Sequence, residues 1–316
     1  MNEHFASIIL QATGATSIAG AEMIQSLWSG YGKIMRVSLE NASVDSVVIK
    51  HVQLPTQKNH PRGWNTDIGH QRKVTSYKVE TNWYETYSSH SSARIPQCLA
   101  IETQDEEVLI VLEDLNEAGY PLRKRSIDWE EISSCIKWLA QFHASYLGRI
   151  PDGLWDIGTY WHLDTRPQEL EVLDDHRLKK AASIIDDKLN SCKYKTFVHG
   201  DAKLANFCFS KDGQVAGVDF QYVGGGCGMK DLIYFIGSCL TDKECERLES
   251  QILDTYFLYL QDALNERNEK LEKEWRSLYR IAWADFHRFI KGWSPGHWKI
   301  NSYSERVTSQ VIDSLT

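Results

Sequence analysis

The chain of 316 residues is 42% hydrophobic and 25% charged, a globular composition that excludes disorder, collagen or coiled coil and leaves room for one large or two medium domains. Thirty-five Lys and Arg against 43 Asp and Glu give a formal net charge of −8, so no overall positive field exists to hold nucleic acid or an anionic membrane. Seven cysteines without a Cys-x-x-Cys pair, a start with no basic flank, and no run of ~18 apolar residues predict a reduced, soluble, cytoplasmic protein without a membrane span.

No repeat or low-complexity tract is visible, so organisation is read from changes in hydrophobic period. Ile34 to Leu39 and Val44 to Ile49 are β-branched runs separated by the polar turn ENAS, which predicts a hairpin ending at Lys50. Residues from about Gln71 to Tyr87 place Tyr77, Glu80, Tyr84 and Tyr87 on one helical face, so a carboxylate shares the buried side. Strands resume near Gln97 to Ile101 and Val108 to Leu112, and the polar stretch opening with Glu113-Asp114-Leu115-Asn116 is a candidate hinge. Beyond it Ile132, Ile136, Leu139, His143 and Tyr146 repeat at helical spacing, and the last 75 residues look helical almost throughout. The pattern is α+β, with a β-rich lobe over residues 1–113 and a mostly helical lobe over 114–316.

Between those helices lies a short strand-and-loop insert, Thr196 to Gln221, and the chemistry concentrates there. His199-Gly200-Asp201-Ala202-Lys203-Leu204-Ala205-Asn206 is followed 13 residues later by Asp219-Phe220-Gln221. Asp201 and Asn206 have the spacing of a protein kinase catalytic loop, and Asp219 stands where a metal-binding Asp follows the next hairpin. Taken singly, these are also ordinary residues for strand-end turns.

The pattern HGDxxxxN then DFQ, with Glu113-Asp114-Leu115 and Leu-Ala-Gln-Phe-His-Ala at 139–144, resembles the aminoglycoside phosphotransferase and choline kinase superfamily, and within it the ecdysteroid kinase-like branch. The resemblance runs from about Trp28 to Leu240 and implies a two-lobed protein kinase-like fold with ATP and Mg²⁺ as cofactors. It implies that Asp201 orients or deprotonates an acceptor hydroxyl, while Asn206 and Asp219 hold magnesium. Lys50 is similar to the strand lysine that grips the α- and β-phosphates, with Glu80 as its partner. Ser29-Gly30-Tyr31-Gly32-Lys33 precedes the Ile34 strand, where backbone amides near Gly30 and Gly32 could approach phosphate; two glycines also suit a plain hairpin turn. Glu113 and Leu115 resemble the hinge that meets adenine. Asp231 either caps the next helix or braces the catalytic loop. His143, on an apolar stripe, is read as a core histidine and not a ligand, and His199 as an organiser of its loop and not a catalyst.

Two regions bear on the acceptor. Residues 51–79 carry five Lys or Arg against one Asp, either a basic flap over phosphates or a solvated loop. Trp283, Asp285, His287 and Trp293 lie where the superfamily builds its acceptor pocket; they could enclose a cationic amine, flank a flat apolar alcohol, or simply pack helices. The resulting expectation is a phosphotransferase acting on a hydroxyl of a small choline-like, aminoglycoside-like or sterol-like molecule, with no nucleic acid or membrane partner. A catalytically silent nucleotide-binding scaffold or regulatory module of the same fold is the alternative. A protein kinase fits less well, because Gln221 stands where DFG has Gly and no APE segment follows.

Overall fold

The computed structural model describes residues 2–27, 30–53 and 67–315. They divide into two compact units, Met1–His90 with Ile95–Leu122 and Cys208–Val218, and Ser91–Arg94 with Arg123–Phe207 and Asp219–Thr316. The first contains α1 (Glu3–Thr13), β1 (Ser17–Ser26), β2 (Gly32–Glu40), β3 (Ser46–Gln53), α2 (Asp67–Asn82) with a π-helical turn Trp83–Tyr87, β4 (Cys98–Gln104) and β5 (Glu107–Glu113). Its strands form one antiparallel sheet in the order β1-β2-β3-β5-β4.

The period of two in β3 decides what each face carries. Val47 and Ile49 join Val37, Leu109 and Val111 on the face covered by Phe5 and Ile9 of α1. Full burial of such side chains contributes about 1.5–3 kcal/mol each. On the opposite face Val52 packs with Leu27, Tyr31 and Tyr77 of α2, and Lys50 lies on this side. The predicted helical face is buried as expected at Tyr77, Glu80, Tyr84 and Tyr87.

Two local differences from the sequence expectation have clear causes. β3 starts at Ser46, not Val44, because Asn41 takes a φ of 55° and Leu39 N–H closes the turn on Asp45 O at 2.8 Å, leaving Val44 exposed in the loop. α1 and β1 were not expected. The helix is nevertheless framed by Asn2, whose Oδ1 accepts from Phe5 N–H at 2.8 Å, and by Gly14 at φ 69°. β1 is a largely exposed edge strand without apolar alternation.

The second unit is mostly helical: α3 (Trp129–Ser145), α4 (Pro167–Glu171), α5 (His176–Asn190), α6 (Met229–Cys239), α7 (Asp242–Leu264), α8 (Glu269–Trp293) and α9 (Ser302–Leu315). An Asp128/Glu131 capping box starts α3, whose Ile132, Ile136, Leu139 and His143 are buried, and α3 packs on α7. α8 packs on α5, α6 and α9. Between α5 and α6 lie β6 (Thr196–Val198), paired antiparallel with β9 (Gly224–Gly226), and the hairpin β7 (Phe207–Phe209) with β8 (Val215–Gly217). Cys208–Val218 of that hairpin belongs to the first unit, within which Cys208 and Ala216 bury with Leu115. All seven cysteines are free thiols. Among the described residues no helix is long and apolar enough to cross a membrane.

Candidate active site

The loop His199–Asn206 leaves β6 and is braced by Asp231 of α6. The Asp231 carboxylate, fully buried, accepts from the backbone N–H of His199 at 2.5 Å and of Gly200 at 2.9 Å. His143 Nε2 meets the same carboxylate at 3.1 Å, and its Nδ1 meets Tyr256 Oη at 2.7 Å. A buried carboxylate is tolerated only when so bonded. Of the two roles open to Asp231 in the sequence, the structure shows the brace. Gly200 has a φ of 79°, and a Cβ there would lie 2.1 Å from Tyr222 O, so no other residue fits the turn.

This brace presents Asp201 with its neighbours preorganised. Asp201 N–H donates to His199 Nδ1 at 3.2 Å, which makes His199 a loop organiser. The Asp201 Oδ2 accepts from Lys203 Nζ at 2.7 Å and from Asn206 Nδ2 at 3.0 Å, and Asn206 Nδ2 also reaches Asp201 O at 2.8 Å. With the amide nitrogen held by Asp201, Oδ1 is the Asn206 atom that could take a cation. Asp219, just beyond β8, has a φ of 73°, a left-handed conformation rare for non-glycine residues and often found at functional positions. Burial alone would lower the Lys203 ammonium, yet the Asp201 carboxylate and then Asp219 outweigh it and hold its pKa above the usual lysine value. Asp201 and Asp219 therefore both act on Lys203, and Asn206 is bonded to Asp201. Lys203 was not singled out from sequence, although it is the one cation within HGDxxxxN.

Among the described residues no cluster of three or more His, Cys, Asp or Glu side chains could cage a metal. One carboxylate and one amide oxygen nonetheless suit Mg²⁺, which keeps several waters and takes phosphate oxygens along with one or two protein ligands.

Within the first unit, Lys50 Nζ donates to Glu80 Oε2 at 2.6 Å, with both residues buried. Gly30 and Gly32 lie in the turn joining β1 to β2, where Leu27 N–H donates to Gly32 O at 2.8 Å. Gly32 has a φ of 130°, and a Cβ would approach His51 O to 2.0 Å, so the turn lies against β3 only because a hydrogen stands there. Ser29 of the same turn is outside the described residues. Of the basic stretch 51–79, residues 51–53 close β3 and 67–79 lie in α2; residues 54–66 are outside the described residues. At the hinge, Glu113 N–H donates to Gln97 O at 2.9 Å and Leu115 O accepts from Tyr120 N–H at 2.7 Å, so these two backbone groups already have partners. The Asp114 carboxylate between them accepts from Arg36 Nε at 2.6 Å and Ser46 Oγ at 2.7 Å.

The four candidate acceptor residues of α8 do not form one cage. The Asp285 carboxylate, wholly buried, pairs with Arg288 at 2.8 Å and accepts from Trp161 Nε1 at 3.0 Å. Trp283 is buried against Tyr303, and His287 Nδ1 meets Thr308 Oγ1 at 2.7 Å. Trp293 is 36% exposed and stacks on Phe289 at 5.8 Å. A further aromatic residue on which Asp201 acts is Tyr234 of α6. Burial, then the negative charge of Asp201, push its phenol well above the ordinary value, and it donates to Tyr160 Oη at 3.0 Å.

A five-stranded antiparallel sheet with one buried Lys–Glu pair, and a helical unit with an Asp231-braced HGDxxxxN loop, define the protein kinase-like fold. The sequence pattern of the ecdysteroid kinase-like family matches residues 46–148 and 158–269, and the chain belongs to that family. A comparison with curated proteins finds no significant match. Among solved structures, the chain resembles a Ralstonia eutropha protein assigned as an aminoglycoside phosphotransferase, with a TM-score of 0.54 and 11% identity over 98% of this chain and 94% of that one. It also resembles the macrolide 2'-phosphotransferase of Brachybacterium faecium, with a TM-score of 0.51 and 12% identity over 98% and 97% of the two chains. A third is aminoglycoside 2'-phosphotransferase-IIIa in complex with GDP, with a TM-score of 0.50 and 11% identity over 99% of each chain.

Proposed function

We propose that this protein transfers the γ-phosphoryl group of ATP, with Mg²⁺, to a hydroxyl of a small organic molecule. The observation that carries the proposal is the Asp201 carboxylate, held by Lys203 and Asn206 on a loop whose backbone is braced by buried Asp231. Phosphoryl transfer asks a protein mainly for positioning and charge neutralisation, and this cluster supplies both without a covalent nucleophile. Asp201 would accept a hydrogen bond from the acceptor hydroxyl, align its oxygen with the γ-phosphorus, and take the proton. Lys203 would offset charge beside it. Asn206 Oδ1 and the Asp219 carboxylate would hold Mg²⁺, which would neutralise the phosphate oxygens.

Lys50 would bind the α- and β-phosphates, with its ammonium aimed by Glu80. The amides at Gly30 and Gly32 would approach the phosphates, and the segment Glu113–Leu115 would meet the base. The Tyr234 phenol stays protonated at neutral pH and so would act as a hydrogen-bond donor, not as a base. Nucleotide use by this fold is supported by the GDP bound in the aminoglycoside 2'-phosphotransferase-IIIa structure.

The test is ADP release from Mg·ATP by the native chain over a panel of hydroxylated amines, sugars, macrolides and sterols, with Asp201→Asn as background. At least one acceptor should give stoichiometric ADP and phosphoester. ADP release indistinguishable from that of Asp201→Asn across the panel would contradict the proposal.

A further inference from the structure

The connection from α8 to α9, residues 294–301, brings a lysine over aromatic rings of α6 and α8. Lys299 Nζ lies 4.3 Å from the ring centroid of Tyr234, 5.2 Å from that of Phe286 and 5.7 Å from that of Trp298, all within cation–π range. The Asp201 carboxylate acts electrostatically on both the Tyr234 phenol and the Lys299 ammonium that lies over its ring, and the phenol donates to Tyr160 Oη at 3.0 Å.

Two other lysines of this unit are held by carboxylates: Lys203 by Asp201 at 2.7 Å, and Lys291 by Asp175 and Glu305 at 3.0 Å each. Among the described residues the Lys299 ammonium makes no hydrogen bond or ion pair, while its backbone N–H donates to His297 Nδ1 and its carbonyl accepts from Ser304 Oγ. The charged groups acting on it are Asp201 and Lys203; burial lowers its pKa to about 8, so it remains mostly charged at neutral pH. A part-buried ammonium without an acceptor is unfavourable, and an oxyanion from a ligand would offset that cost.

Resting on the phosphotransferase reading, we infer that Lys299 selects the acceptor: it fills the aromatic seat beside Asp201 with the chain's own cation, rejects alcohols bearing a fixed positive charge, and binds those that present an anionic oxygen. A choline-like ammonium needs the ring faces that Lys299 already covers, and would meet the like charges of Lys203 and Lys299 beside Asp201. Asp285 offers it no alternative counter-ion, since Arg288 pairs with that carboxylate. Beside Lys299 the exposed indole of Trp298, 59% accessible, gives the acceptor an apolar surface.

The test uses alcohols matched in shape and differing in charge: isethionate, 3,3-dimethylbutanol and choline as a short series, and cholate, its methyl ester and its quaternary-ammonium amide as a bulky one. Thermal shift with Mg·ADP and ADP release from Mg·ATP are measured on the native chain, Lys299→Met and Lys299→Arg. In at least one series the native chain should rank anion above neutral above cation. Lys299→Met should lose the anionic member by 10-fold or more in affinity or kcat/KM and gain the cationic one, while Lys299→Arg keeps the native order. A native preference for the cationic member, or an unchanged order in Lys299→Met, overturns the inference. So does the absence of any response in both series while Mg·ATP still stabilises the protein; this outcome leaves the phosphotransferase reading standing. Failure of Mg·ATP itself to stabilise the chain removes both.

Discussion

Asp201 and Gly200 separate two kinds of residue at this site. Asp201→Asn keeps the size of the side chain and the hydrogen bonds that hold the loop, but removes the group proposed to take the hydroxyl proton. Nucleotide-dependent stabilisation should persist while turnover falls by roughly 10²–10⁴-fold, the usual contribution of a positioned general base. Turnover within a few-fold of native would refute the role. Gly200→Ala acts on geometry instead: its methyl would meet Tyr222 O at 2.1 Å in a left-handed backbone. Denaturant unfolding should show a loss on the order of 3 kcal/mol; an unchanged midpoint would mean that the loop has another conformation open to it. Both positions are visible in the motif HGDxxxxN, and so is Lys50 at the end of its strand. Lys299 is not, because no local pattern connects a polar loop near the C-terminus with an aromatic residue some 65 positions earlier.

At the scale of elements, α6 supports the 199–206 loop through one buried carboxylate, and α9 bonds α8 through one buried imidazole. Asp231→Ala leaves the amides of His199 and Gly200 without their acceptor in a dry interior, which should cost about 2–6 kcal/mol in urea unfolding. A loss below 1 kcal/mol would show that the brace is replaceable. His287 reports the second contact. Its pKa is pushed down to about 4 by burial against the opposing pull of Glu305 and Asp175, from an ordinary value near 6.5. The folded state therefore holds fewer protons than the unfolded chain between those values, and stability is lost as pH falls from about 6.5 towards 4, by up to ~3 kcal/mol. Thermal unfolding across that window should fall less steeply in His287→Gln than in the native chain; parallel profiles would contradict the assignment. The amphipathic helices and the β2–β3 hairpin were legible because their buried residues recur at the period of the element. β1 was not, since an exposed edge strand needs no apolar alternation, and α1 was signalled only by Asn2 and Gly14 at its ends.

For the whole molecule, a strand-rich unit followed by a helical one was readable from the change in hydrophobic period near residue 113. The grouping of Cys208–Val218 with the first unit was not, because it depends on Cys208 and Ala216 packing against Leu115, a contact with no local signature. Motif spacing likewise located Asp201, Asn206 and Asp219 but could not show what steadies them, since the bond from Asp231 spans some 30 residues. The central claim is that these parts serve a magnesium-dependent nucleotide, and thermal unfolding with and without Mg·ATP tests it without knowledge of the acceptor. At a ligand concentration ~100 times the dissociation constant, binding to the folded state adds ~2.7 kcal/mol, a shift of several degrees. The comparison is between shifts, because Asp219→Ala changes intrinsic stability at a left-handed position. The account predicts a magnesium-dependent shift in the native chain that disappears in Asp219→Ala. No shift with ATP in the native chain, with or without magnesium, would contradict it.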